Sequence, residues 1–197
     1  GPTGNQTVTS NVGSAKIKGI EMDFTARPAE GFKINGSLGY LKSNFKGFIV
    51  GGTTPGGVLK PFDYSNNDMI YSPKFTASLS ADYTVPTSFG DVIANIGYRH
   101  IDRYDQQISV GPATNFTTAT VVVAGNDPRV RTTAQDLLDA SLTTKFDIGN
   151  TEAKLTFWGR NLLNDKGTTH GFTVAGLWSF GTAREPRTYG ATVGVKF

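Results

Sequence analysis

Stretches of this chain alternate between apolar and polar residues, and a period of two commits a chain to strands. At Phe32-Ile34-Gly36-Leu38-Tyr40 the apolar set falls on even positions, with Lys33, Asn35, Ser37 and Gly39 between. The same holds at Phe75-Ala77-Leu79-Ala81-Tyr83-Val85, at Leu138-Ala140-Leu142-Thr144-Phe146 and at Tyr189-Ala191-Val193-Val195-Phe197. Three further runs, Gly19 to Ala26, Val92 to Tyr104 and Ala153 to Asn161, follow the rule less cleanly. No helical period competes, because 24 glycines and abundant threonine weaken any long helix. Seven strands are expected, each with one oily and one polar face.

The connections alternate as well. Short turns fall at Pro28 to Gly31, Pro86 to Asp91 and Ile148 to Asn150, while long loops run from Ser43 to Pro73, Asp105 to Ala134 and Asn164 to Pro186. Loops of roughly 20–30 residues at every second connection are unusual in a compact soluble domain. They suit an outer-membrane barrel, with short periplasmic turns and long external loops. On that reading the strands near 16–26, 75–85, 136–147 and 187–197 descend, and those near 32–42, 92–104 and 151–162 rise.

Aromatic residues set the environment of the oily face. It is bracketed by rings eight residues apart, at Phe32 and Tyr40, Phe75 and Tyr83, and Tyr189 and Phe197. Eight steps cover about 26 Å, or about 20 Å of height at a barrel tilt, close to an outer-membrane apolar band. A soluble sandwich would put its large residues in the middle of the face. Here the middle is small and the edges are aromatic, as in the interfacial girdles of a membrane barrel.

Composition narrows the function. Zero cysteines exclude a disulfide scaffold, a thiolate metal site and a cysteine nucleophile. A net charge of +3 without a basic run gives no reason to expect nucleic acid. The longest apolar run, Val121 to Ala124, is far too short for a membrane helix, and the polar start is not a secretory signal. With only His100 and His170 and no Gly-x-Ser-x-Gly, no hydrolase triad can be built. Ser43-Asn44-Phe45-Lys46 is a chance match to Ser-x-x-Lys. Asp63 to Asp68 reads as a polar turn, and His100 with Asp102 and Asp105 as a solvated rim. No catalytic residue, metal site or cofactor is expected.

Four segments carry a family resemblance. Ala15-Lys16-Ile17-Lys18-Gly19-Ile20-Glu21-Met22-Asp23-Phe24 has the small-x-x-x-Gly-apolar-Glu form of a descending strand, and Ser72-Pro73-Lys74-Phe75-Thr76-Ala77 looks like the start of a later one. Phe157-Trp158-Gly159-Arg160-Asn161-Leu162-Leu163-Asn164-Asp165 is similar to a penultimate-strand Asn-Leu element, and Pro186 to Phe197 to a closing strand. In order and spacing these resemble the C-terminal part of a TonB-dependent outer-membrane receptor, over nearly everything after about residue 10.

The resemblance implies an all-β fold: an antiparallel transmembrane barrel segment of seven strands, the C-terminal third of a barrel of about 22 strands. Residues 1–197 would form one partial barrel domain, with the plug and the earlier strands lying elsewhere. The implied function is active uptake of a scarce solute, such as a metal chelate or oligosaccharide, across the outer membrane of a Gram-negative bacterium. Implied partners are outer-membrane lipid, the remaining strands and plug, and a TonB-type transducer acting through that plug. Barrel-assembly machinery is a further partner, reading Phe197 as a terminal signal. The alternative is a structural role, the open edges pairing with copies of the chain or with another chain in a fibre.

Parity puts Arg99, Arg103, Trp158 and Arg160 on the polar face near the upper ends of rising strands. They could hold an anionic ligand, or the arginines could pair with Glu21, Asp82, Asp139 or plug groups. The loop from Asn164 to Pro186, with His170, Phe172, Trp178 and Phe180, is the second candidate for ligand contact.

Overall fold

The computed structural model describes residues 13–53, 57–65, 67–108, 122–123, 127–149, 151–174 and 178–196. In chain order the strands are β1 (Ser14–Ala29), β2 (Phe32–Lys46), β3 (Ile49–Thr53), β4 (Leu59–Asp63), β5 (Phe75–Thr87) and β6 (Gly90–Ile101). They continue with β7 (Val122–Val123), β8 (Gln135–Ile148), β9 (Thr151–Arg160), β10 (Thr168–Val174), β11 (Trp178–Ala183) and β12 (Thr188–Lys196). A 3-10 turn at Pro128–Val130 is the one helical element among the described residues. All the alternating runs enter a single antiparallel sheet, ordered β1-β2-β5-β6-β8-β9-β12.

The register explains the alternation. One row across the sheet reads Ala26, Ile34, Ala81, Ile96, Ala140, Gly159, Tyr189, and another reads Phe32, Tyr83, Ala94, Leu142, Phe157, Ala191. Between them lies the polar row Lys33, Asp82, Asn95, Ser141, Trp158, Gly190. On the polar face side chains join across strands: Ser37 with Ser78 at 2.7 Å, Thr143 with Thr156 at 2.9 Å, and Asn95 donating to Asp82 at 2.5 Å. Large side chains on the apolar face stand exposed among the described residues. Ile20 is 75% exposed, Val193 72% and Tyr189 78%. Each such side chain would gain about 1.5–3 kcal/mol by leaving water, so a sheet of this pattern needs an apolar medium on that side.

The aromatic brackets fall into shared rows. Phe32 and Tyr83 stand opposite each other with rings edge to face at 5.7 Å, and Tyr40 stands opposite Phe75. The strand ends are staggered: the row that crosses the third residue of β2, Ile34, reaches the second residue of β12, Tyr189. Phe197, expected as girdle ring and assembly signal, lies outside the described residues.

The long connections differ from the expectation of plain loops. They hold a β3-β4-β7 sheet and a β10-β11 hairpin. Runs of five to seven residues pair within one loop, β3 with β4 and β10 with β11, and β7 from the next long connection adds to β4 in parallel. The rising strand expected to reach Tyr104 ends at Ile101. Phe45, at the upper end of β2, forms one buried cluster with Phe48 and Tyr64 of the following connection, and Val130 is wholly enclosed elsewhere.

Candidate functional site

The site is built from the corner that follows β9. Asn161 adopts a positive φ of 49°, a conformation that asparagine tolerates better than most residues. Its backbone N–H donates to Asp139 at 2.8 Å, and its side chain bonds to the Asp165 backbone N–H and C=O and to the Glu185 carbonyl. Asp165 in turn accepts from the Asp136 backbone N–H at 2.6 Å and pairs with Arg184, which is 5% exposed. The Asn-Leu-Leu-Asn-Asp segment therefore ties the tops of β8 and β9 to the foot of the β10-β11 hairpin.

The hairpin is held from the other side by two adjacent glutamines. Gln106 donates to the Thr169 carbonyl at 2.8 Å and accepts from the Gly171 N–H at 2.5 Å. Gln107 does the same with the carbonyl and N–H of Thr173, each at 3.0 Å. These amides pair the edge of β10 that β11 leaves open. Gly171 is required there, because a Cβ would collide with the Arg129 carbonyl and crowd Val130. That platform is fixed by Asp127, 1% exposed, which accepts from the Arg129 backbone and guanidinium. The Arg129 side-chain hydrogen bonds hold the Asp127 carboxyl below its ordinary value.

Held in this way, the hairpin turns one face outward. Ring contacts link His170 to Phe180 at 5.8 Å, Phe172 to Trp178 at 5.9 Å and Trp178 to Phe180, stacked, at 5.7 Å. Trp178 is 54% exposed. The result is a four-ring surface on a rigid support, suited to flat or apolar ligand parts.

A polar cavity of about 190 Å³ is lined by residues that include Asp68, Lys74, Asp102, Arg103, Asp105 and Arg131. Lys74 pairs with Asp68 at 3.0 Å, and Arg131 with Asp105 at 3.2 Å. Burial raises the Asp105 carboxyl, and the Arg131 charge opposes that rise. Arg103 thus enters a pocket of mixed charge.

Arg99 and Arg160 lie on the polar parity near the upper ends of β6 and β9, and Arg103 lies past β6 in the cavity. Arg99 is on β6, opposite Ser78 and Leu137 on the polar face. Arg160 lies with its guanidinium carbon 5.6 Å from the Trp158 ring centre. Trp158 donates to Thr192 at 3.1 Å and lies across Gly190, where a Cβ would come within 2.7 Å of the ring. None of the three arginines forms a salt bridge among the described residues. Asp82 and Asp139, their expected alternative partners, accept from Asn95 and the Asn161 N–H. His170 and Trp178 do share one surface. Sequence reasoning missed Gln106, Gln107, Asp127 and the Asp165–Arg184 pair; only the Asn161 to Asp165 segment carried a signal.

Comparison with known proteins adds the relationship. Residues 1–162 match the family model "TonB dependent receptor-like, beta-barrel". The fold is similar to that of the ferric yersiniabactin uptake receptor FyuA from Yersinia pestis, with a TM-score of 0.65 and 18% identity, over 95% of this chain and 24% of that one. It is also similar to the siderophore receptor PiuA from Acinetobacter baumannii, with a TM-score of 0.60 and 17% identity, over 92% of this chain and 21% of that one. The chain therefore spans less than a quarter of either receptor's length. No curated protein matches the sequence.

Proposed function

The chain belongs to the β-barrel family of TonB-dependent receptors, and on that footing we propose that it is the C-terminal wall and outer-loop portion of an active-transport receptor. The family and the two structural neighbours are transport receptors. The parent protein would reside in a Gram-negative outer membrane, with a plug moved by a TonB-type transducer. The observation that carries this reading is the two-sided sheet: one face that exposes large apolar side chains, edged by aromatic rows, and one polar face joined by hydrogen bonds. Lipid satisfies the first and a water-filled, plugged lumen the second.

The solute is proposed to be a metal chelate with flat, unsaturated groups. Its flat part would rest on Phe172, Trp178 and Phe180, with His170 at the edge. Arg99 and Arg160 would offer positive charge further down the polar wall. In this reading the chain binds and conducts, and performs no chemistry on the solute.

The test is uptake of radiolabelled ferric chelates by cells that depend on the parent receptor. Accumulation should require the receptor and stop when the membrane is de-energised. Uptake that continues without energy would replace the receptor reading with a passive pore.

A further inference from the structure

The polar-face rule for lysine has one local exception. Lys33, Lys145, Lys154 and Lys196 all lie on the polar parity of the sheet. The other four lysines of the seven-stranded sheet, Lys16, Lys18, Lys42 and Lys46, lie on the apolar parity, all at the upper ends of β1 and β2. Lys18 stands directly opposite Lys42, one step beyond the Ile20–Tyr40 pair that carries the upper aromatic row. Lys16 and Lys46 continue the block upward, opposite Asn44 and Ser14.

This arrangement is costly without a shared anion. Like charges directly opposite one another destabilise a strand pair. Among the described residues no carboxylate lies within salt-bridge reach of Lys16, Lys18 or Lys42. The single strand carboxylate on this parity, Asp136, is occupied by Tyr98 at 2.5 Å and His100 at 2.8 Å. The nearby Asp68 is paired with Lys74.

On β2 the opposite side is closed at its upper end, whereas β1 is exposed on both faces. Ser43 and Phe45 are buried, and Phe45 packs on Phe48 and Tyr64 in the loop core. The lysines therefore stand on the outer side of the wall, a face that the following loop reaches where Asn44 donates to Asp68 at 3.4 Å. A further strand beside β1 would extend the sheet in its own plane and leave this face open.

We propose that the upper ends of β1 and β2 form a docking site for the phosphate-bearing headgroup of an outer-leaflet lipid, held by Lys16, Lys18, Lys42 and Lys46. The proposal rests on reading the sheet as an outer-membrane wall. The geometry suits it. The lysines begin about 7 Å along the strand above Tyr40, where an aromatic girdle gives way to headgroups. Their stems can lie along the apolar wall while the ammonium groups reach the phosphates. The occupant is anionic because Lys16, Lys18 and Lys42 share one face with no carboxylate in salt-bridge reach among the described residues, and a lipid because the same face continues downward as Ile20, Met22 and Phe24.

The experiment uses the whole receptor that carries this chain, delipidated in detergent and titrated with lipid A, either phosphorylated or stripped of phosphate. Bound lipid is counted by native mass spectrometry. Each lysine near a charged headgroup is worth a factor of about five. The Lys18→Gln/Lys42→Gln pair should weaken binding of phosphorylated lipid A about twentyfold, and all four replacements on the order of a hundredfold or more. A control replacing Lys33, Lys145, Lys154 and Lys196 with Gln removes the same charge from the other face and should change binding less than about threefold. Should the fourfold variant fail to assemble, the pair decides. Unchanged binding in the pair, equal loss in the control, or equal binding of both lipids overturns the proposal. Fractionation of the same cells separates the two readings: a receptor absent from the outer membrane overturns the wall itself, and one present with unaltered lipid binding overturns only this site.

Discussion

Gln107 pairs with Thr173 as a strand would, its side-chain amide donating to the carbonyl and accepting from the N–H of one residue, each at 3.0 Å. Gln106 repeats the exchange across Gly171 and Thr169. Two side chains thus satisfy the open edge of β10, which otherwise would leave buried backbone groups without partners.

Loss of that pairing should release the hairpin while leaving the wall intact. In Gln107→Ala both groups of Thr173 lose their partner, at a cost of about 1–3 kcal/mol. Amide hydrogen exchange at Gly171 and Thr173 should accelerate roughly tenfold or more, with exchange at Leu142 and Phe157 unchanged. Equal acceleration in the wall would mean that the hairpin is not an independent unit.

The aromatic surface should govern affinity. Trp178→Ala and Phe180→Ala each remove a stacked ring worth about 1 kcal/mol or more. Each should raise the KM of chelate uptake about fivefold or more, with heat stability of the barrel unaltered. An unchanged KM in both variants would move ligand contact away from this hairpin.

Asp127 gives the rim an acid limit. Its carboxyl is held below the ordinary 3.8, chiefly by the Arg129 side chain. A depressed value stabilises the fold above the unfolded pKa, and that contribution disappears as pH falls through the folded value. Protease resistance of the hairpin should therefore be constant from neutral pH to about 5 and decline below about 4. Asp127→Asn should lose it at every pH, and a decline already complete at pH 5 would contradict the assignment.

Gly190 should resist enlargement. A Cβ there meets the Trp158 ring at 2.7 Å. Gly190→Val must displace the ring, its bond to Thr192 and the Arg160 contact. Such overpacking costs about 1–3 kcal/mol, visible as a lower temperature of barrel unfolding in detergent and a shifted tryptophan emission. Gly194→Ala, beside the flexible Lys154 stem, should be milder.

The wall was legible in the sequence because lipid and lumen impose opposite chemistries on successive residues. Phe75 to Val85 could be assigned to a strand by parity alone, and the structure adds only its neighbours. The rim obeys no such rule. Gln106 and Gln107 act on a strand more than sixty residues further along, through backbone groups that leave no mark on composition. His170 and Phe172, and Trp178 and Phe180, do alternate, but their strands are short and lie within a stretch whose length reads as loop. The four outward lysines broke the alternation at its upper end, in plain view, and acquired meaning only when β1 and β2 were set in register.

The staggered strand ends also fix how far the wall leans. A membrane surface requires the upper rings, Tyr40 on β2 and Tyr189 on β12, to stand at one height. Yet Tyr189 shares its row with Ile34, six residues below Tyr40. Six residues climb about 20 Å along a strand, while five strand-to-strand steps cross about 24 Å. The slope that reconciles them is roughly 40°, inside the range that closed barrels adopt. Two tyrosines at opposite sides of the sheet thus serve as a spirit level, and the girdle winds through the sequence as a spiral.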